Sequence, residues 1–148
     1  MSKARYVRTA FDGVGSKQAG GRWHSPGRPV VYVSEQRATA ALEILVHVKR
    51  AQLLRDAYVI FEVTIPDALI LMLELAALPQ GWDAYPETRA STDIGDAWFD
   101  TGQSVALRVP SVVVRGEYNL LLNPEHPDMA QVTTGQPEPF LFGPRLAE

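Results

Sequence analysis

Residues 12–29 hold five of the eleven glycines and two of the eleven prolines, and this clustering constrains the fold more than any other feature of the chain. Glycine and proline at that density interrupt regular structure, so the segment reads as one long irregular loop. Loops of that length inside a compact domain are usually functional or disordered. The residues that follow are of the opposite kind. Val30-Val31-Tyr32-Val33 is a β-branched and aromatic run that predicts a short strand. Ser34 is placed to cap a helix from Glu35 to about Arg50, along which Ala38, Ala41, Leu42, Leu45 and Val46 recur at helical spacing.

Downstream, Tyr58–Ile65 alternates, with Val59, Phe61, Val63 and Ile65 on one side, and predicts a strand. Ile70–Leu73 fits strand or helix equally. Residues 88–100 predict a second helix closed by Gly102, and further strands are expected at 105–109, 111–114 and 118–122, around Pro110 and Gly116. Phe140-Leu141-Phe142 adds a last short strand. Strands grouped around two helices suggest a mixed α+β domain, not an alternating parallel one. There is no internal repeat and no linker, so residues 1–148 are expected to form one domain, long enough to bury one core.

Composition removes several function classes. The formal net charge of −3 argues against general nucleic-acid or anionic-membrane binding, although Arg5, Arg8, Lys17, Arg22 and Arg28 make the N-terminus the basic end. With no cysteine, disulfides, thiolate metal sites and a cysteine nucleophile are excluded. The opening residues lack the apolar stretch of a signal peptide, and the longest apolar run, Ala68–Leu78, is interrupted by Glu74. A cytoplasmic protein is expected. His24, His47 and His126 are far apart and outside any H-E-x-x-H pattern, so no metal is expected and they read as surface or capping histidines. No G-x-S-x-G elbow or P-loop occurs, and Gly13-Val14-Gly15 lacks the preceding strand of a dinucleotide fingerprint.

Three polar residues remain where folding alone would not put them. Glu43 is apolar on both sides in Ala40-Ala41-Leu42-Glu43-Ile44-Leu45-Val46, either as a solvated helix edge or as a carboxylate facing a cleft. Tyr32 points opposite to Val31 and Val33, as an ordinary sheet tyrosine or as a platform for a flat ring. Arg22, in Gly20-Gly21-Arg22-Trp23, is a surface arginine beside a core tryptophan or a planar fork for phosphate. If strand and helix pack back to back, the three meet at one cleft. Together they suit glycosyl transfer from a dinucleotide: arginine on the pyrophosphate, tyrosine on nicotinamide, carboxylate against an oxocarbenium-like sugar.

The stretches GGRWHSPGRPVVYVS (residues 20–34), ALEILVH (41–47), LPQGWDAYP (78–86), IGDAW (94–98), LRVPSVVV (107–114) and NLLLNPEHP (119–127) cover most of the chain in one order. In these the sequence resembles the RES-domain family, toxins of bacterial toxin–antitoxin pairs. The family's arginine, tyrosine, glutamate and serine fall on Arg22, Tyr32, Glu43 and Ser111. The resemblance implies a fold similar to diphtheria-toxin-like ADP-ribosyltransferases and NAD⁺ as substrate. It also implies a cognate Xre-type antitoxin that covers the active site. His24 departs from the pattern, standing where the resemblance implies asparagine. Asn123 matches the family and is expected to shape the pocket. Ser111 follows Pro110 with no histidine base near it in sequence, so a hydrogen bond to ribose, phosphate or Glu43 is the better functional reading than a nucleophile. An ordinary strand-end serine is the structural one.

Three functions fit these residues. The first is a toxin that depletes NAD⁺ by hydrolysis or phosphorolysis. The second is a mono-ADP-ribosyltransferase with a host protein as acceptor, and the third is a non-enzymatic inhibitory binding module. The first two share the departure of nicotinamide, and the sequence does not separate them.

Overall fold

A computed structural model of the chain describes residues 1–49 and 56–147. In chain order the elements are β1 (Ser2–Lys3), α1 (Val14–Ala19), β2 (Val31–Ser34), α2 (Arg37–His47), β3 (Tyr58–Ile60), β4 (Val63–Thr64), β5 (Ile70–Met72), α3 (Arg89–Thr101), β6 (Ala106–Pro110), β7 (Tyr118–Leu122), β8 (Thr133–Thr134) and β9 (Glu138–Phe140), with short 3₁₀ turns between them. Mixed helix and sheet is the architecture expected. The central sheet has four strands in the order β2-β7-β6-β5, antiparallel except for the parallel pair β5 and β6. A three-stranded sheet, β1-β3-β9, and the pair β4 and β8 complete the strands.

Alternation along the central strands sends neighbouring residues to opposite faces. One face carries Val30, Leu107, Val109 and Leu121, and there Trp23 and Trp98 are buried with Ile94 and Phe99 of α3 packed alongside. The other carries Val31, Ala106, Leu120 and Leu122, covered by Phe11, Ile65, Ile70 and Met129. Helix α2 packs on the second sheet, with Ala41, Ile44 and Leu45 against Tyr58 and Phe142.

Helix α3 is set by its ends and by one glycine. Thr88 caps the N-terminus by accepting from the Ala90 N–H, and Gly102 closes the other end at φ +59°. Its buried face is Ser91, Gly95 and Trp98, one small-residue groove followed by a large ring. The backbone of Trp23 lies in that groove, so close that a methyl on Gly95 would overlap the Trp23 carbonyl oxygen. Full burial of a tryptophan contributes roughly 4–6 kcal/mol of transfer free energy, which is what the close approach secures.

Several expected boundaries differ. Residues 12–29 contain helix α1, begun after Gly13, whose Ser16 hydroxyl lies within hydrogen-bond distance of the Gly13 and Val30 carbonyls and accepts from the Val30 N–H. Ser34 does not cap α2; Gln36 holds that position, and the Ser34 hydroxyl is committed to Asn119. The helix ends at His47, and the expected terminus at Arg50 lies outside the described residues. Ala41, Ile44 and Leu45 face the second sheet, Thr39 is buried about half a turn away on the side of Glu43, and Leu42 and Val46 are exposed. The run 58–65 is two strands: Tyr58 and Ile60 face inward in β3, Val63 and Ile65 after the break. Ser111–Val114 is a turn and not a strand, since the Ser111 hydroxyl accepts from the Val113 and Val114 N–H groups. The last strand is Glu138–Phe140 instead of 140–142.

Gly95→Ala is expected to destabilise the fold by about 3 kcal/mol or more, beyond ordinary overpacking, because the obstruction is backbone and cannot rotate away. Thermal unfolding measures it; an unchanged midpoint would show that α3 stands off from Trp23.

Candidate active site

The site is built on the face that α3 covers, where the 20–28 segment folds back on the sheet. Trp23 is buried and stacks on Trp82 at 5.9 Å between ring centroids. Asp96 of α3 accepts from the Ser25 N–H at 2.8 Å and pairs with Arg28, which also forms a two-pronged bond with Asp100. Gly21 and His24 pair through their backbones. A side chain on Gly21 would strike the Tyr32 hydroxyl, 2.7 Å from where its Cβ would stand, so glycine is required there.

His24 is almost fully buried, at 1% exposure, which corrects its reading as a surface or capping histidine. Of the three, His126 does cap, accepting from the Asp128 N–H. The His24 ring bridges the Ser16 carbonyl (3.1 Å from Nε2) and the Tyr32 hydroxyl (2.8 Å from Nδ1). A carbonyl only accepts, so Nε2 is assigned the hydrogen, and neutral Nδ1 accepts from the Tyr32 O–H. The Trp23 N–H donates to the same hydroxyl oxygen at 3.3 Å. Burial lowers the His24 pKa; the Ser16 bond and Asp96 oppose that, and Arg28 adds to it. Burial likewise raises the Tyr32 pKa well above the ordinary phenol value. The tyrosine thus has a fixed, neutral hydroxyl, although its side chain remains more than a third exposed.

Glu43 reaches from α2 to the same face. Its Oε1 accepts from the Ser111 hydroxyl at 2.9 Å and from the Asn119 amide at 2.7 Å. Ser111 is held in turn by the two N–H groups that donate to it. The Ser34 hydroxyl donates to Asn119 Oδ1 at 2.6 Å. Tyr32 lies opposite Leu121 and Ser34 opposite Asn119, so Tyr32 and Asn119 are diagonal neighbours on one face, about 7–8 Å apart. Arg22 is half-buried, and its Nη1 donates to the carbonyls of Ala84 (2.9 Å) and Trp82 (3.3 Å). Among the described residues no carboxylate pairs with it, unlike Arg28 and Arg108. A half-buried guanidinium facing only carbonyls retains its attraction for an anion. Trp82 and Asp83, in the segment that Arg22 holds, line a cavity of about 170 Å³ together with Ser111 and Tyr118.

Glu43 and Ser111 are therefore in direct contact, Tyr32 is a diagonal neighbour of the Asn119 that also holds Glu43, and Arg22 is bonded to the Trp82–Ala84 segment, whose Trp82 and Asp83 line a cavity with Ser111. Asn123 is elsewhere. It lies past the far end of β7, buried, with its side-chain oxygen accepting from the Glu125 N–H to form a turn. Asn119 takes the place at the cluster that the sequence reading gave to Asn123. A second cavity of about 390 Å³ lies toward the opposite face, between Phe11, Val31, Val33, Ile65 and Leu120; Tyr32 and Ser34 also line it, whereas Arg22, Glu43, Ser111 and Asn119 do not. Of the cluster residues, Ser111 lines the smaller cavity. Among the described residues no three His, Asp or Glu side chains are gathered to hold a metal, and no helix is long and apolar enough to cross a membrane.

The sequence profile of the RES domain matches residues 1–143. A protein named Toxin Res from Photorhabdus laumondii is 40% identical over 84% of this chain and 79% of its own. The Prs ADP-ribosylating toxin of a Sphingobium species is 38% identical over 95% of this chain and 89% of its own. Among solved structures, a chain of the M. tuberculosis MbcT–MbcA toxin–antitoxin complex superposes with a TM-score of 0.67, covering 93% of this chain and 80% of that one at 21% identity, and so shares the fold.

The lowered His24 pKa gives a pH prediction. Unfolded histidine takes up its proton near pH 6.5, and the folded ring does so only at lower pH. The unfolded state then binds more protons, so stability should fall as pH drops from about 6.5 toward the folded value. Melting curves between pH 7 and 5 should show this loss, reduced in His24→Asn, where nothing titrates at that position. Parallel pH dependence in both proteins would remove His24 as its source.

Proposed function

The chain belongs to the RES domain family, and from that premise we propose that it is the toxin of a type II toxin–antitoxin pair, which cleaves the nicotinamide–ribose bond of NAD⁺ and depletes it. The observation that carries this reading is the Glu43 carboxylate, fixed by Ser111 and Asn119, in a chain where Arg22 has no carboxylate partner among the described residues and Tyr32, a diagonal neighbour of Asn119, is more than a third exposed.

Arg22 has the fork and the uncompensated charge to hold a pyrophosphate. Tyr32, its hydroxyl locked inward, offers the open part of its ring to nicotinamide. Glu43 supplies negative charge where the sugar becomes cationic as nicotinamide leaves with the electron pair of the C–N bond. Water adding to the same carbon, with loss of a proton, gives ADP-ribose; phosphate gives its phosphorylated form. Ser111 spends its only hydrogen on Glu43 while its oxygen accepts two N–H groups, so it acts through the carboxylate and not as a nucleophile.

A second reading has its own support: a relative bears the name of an ADP-ribosylating toxin over nearly the whole chain. Here a side chain of a host protein takes the place of water, and the same residues expel nicotinamide. Because such a site would be dangerous unguarded, a cognate antitoxin of the Xre type that covers the cleft is part of the proposal.

Glu43→Gln keeps the shape and removes the charge, so nicotinamide release should fall about 10²–10³-fold in a folded protein. Near-wild-type release would take Glu43 out of the mechanism. Labelled NAD⁺ with enzyme and cell lysate, read by mass spectrometry, should yield free or phosphorylated ADP-ribose. One labelled protein band, at enzyme levels too low to drain NAD⁺, favours transfer instead. Expressed alone, the chain should stop bacterial growth, and harmless accumulation of soluble protein contradicts the toxin reading.

A further inference from the structure

Among the described residues the Glu43 carboxylate is bound on one oxygen. Oε1 takes both donors, and among the described residues no donor is bonded to Oε2. The two donors come from different places, Ser111 just past β6 and Asn119 on β7, whereas Glu43 itself comes from α2. One donor leaves a carboxylate free to swing about its last torsion; a second, from another direction, fixes the plane. The direction of each bond is determined. An ionised carboxylate only accepts, so the Asn119 amide nitrogen must face it, which turns the amide oxygen to Ser34, whose hydroxyl must then donate.

We propose that Asn119 and Ser34 are positioning residues for the reaction: Asn119 fixes the plane of Glu43 so that Oε2 faces the substrate, and Ser34 fixes the amide of Asn119. This rests on the functional reading above and adds two residues to it. The chain Ser34–Asn119–Glu43–Ser111 spans β2, β7, α2 and the end of β6, so the carboxylate is located by the strand register itself. Ser34 and Asn119 are directly opposite in that register.

The test has a kinetic arm and a structural arm. In Asn119→Ala, kcat for nicotinamide release should fall about 10–100-fold while KM for NAD⁺ stays within about twofold, the signature of lost orientation rather than lost binding. Ser34→Ala should lose about tenfold or less, and combining Asn119→Ala with Glu43→Gln should cost little beyond Glu43→Gln alone, because the residues act as a unit. If Asn119→Ala does not fold, Asn119→Asp keeps the shape and replaces the donor with an acceptor, and the same kcat loss is expected. A kcat within twofold of wild type, or a change confined to KM, overturns the proposal. Crystal structures of wild type and the Asn119 variant provide the second arm. The Glu43 carboxylate should rotate away from its wild-type plane, and one that stays in place overturns the positioning role. If wild-type protein releases no nicotinamide, the functional reading fails, and the crystal comparison still decides whether Asn119 fixes Glu43.

Discussion

The burial of Trp23 against Gly95 is the constraint on which the site depends. A tryptophan seated in a glycine notch on α3 pins a segment otherwise held by turns, polar contacts and ion pairs. Everything placed by that segment follows from it. Arg22 is turned toward the Trp82–Ala84 carbonyls, the Trp23 N–H meets the Tyr32 hydroxyl, and His24 is driven into the interior between that hydroxyl and Ser16. The ion pairs of Arg28 with Asp96 and Asp100 lie at the more exposed end of the same contact, where such pairs contribute little, so the apolar burial dominates.

The other half of the site comes from the sheet. Strand register places Ser34 opposite Asn119, and alternation puts both on the face where Tyr32 also points. Glu43 brings charge to this face from a helix packed mainly on the second sheet, so its polar contacts are what tie that carboxylate to the central one. The Arg108–Glu35 ion pair, with the Arg108 guanidinium 3.4 Å over the Tyr118 ring, holds the start of this region from the other face of the strands. The arrangement separates roles: neutral groups fix geometry, while Arg22 and Glu43 carry the two charges that the proposed dinucleotide reaction needs.

Much of this is visible in the sequence, and what is not has a physical reason. The class of fold follows from the strand and helix patterns, and α3 and β7 fall close to their predicted bounds because Thr88, Gly102 and Gly116 mark their ends. The pairing of Ser111 with Glu43 was among the readings open to that serine. His24 was missed because its partners are a backbone carbonyl and a hydroxyl that only the folded loop brings to it. The expectation for Asn123, with Asn119 unremarked, illustrates another limit. Both lie in Asn-Leu-Leu-Leu-Asn and, four residues apart, share a strand face; Asn123 precedes proline, a turn signal, while Asn119 is selected only by its pairing with Ser34. Ser34 itself had two local uses, helix cap or strand-end donor, and a tertiary partner decided between them.

NAD⁺ is proposed to bind at the face carrying Glu43, Ser111 and Asn119, and not in the larger cavity behind the sheet, which Tyr32 also lines. A crystal structure of the Glu43→Gln protein with NAD⁺ tests this directly, because slowed turnover preserves the substrate. The nicotinamide ribose should lie within about 3.5 Å of Gln at position 43 or of the water that it holds, with a phosphate on Arg22. Density for the dinucleotide in the cavity between Phe11 and Leu120, with the Arg22 side empty, would contradict it.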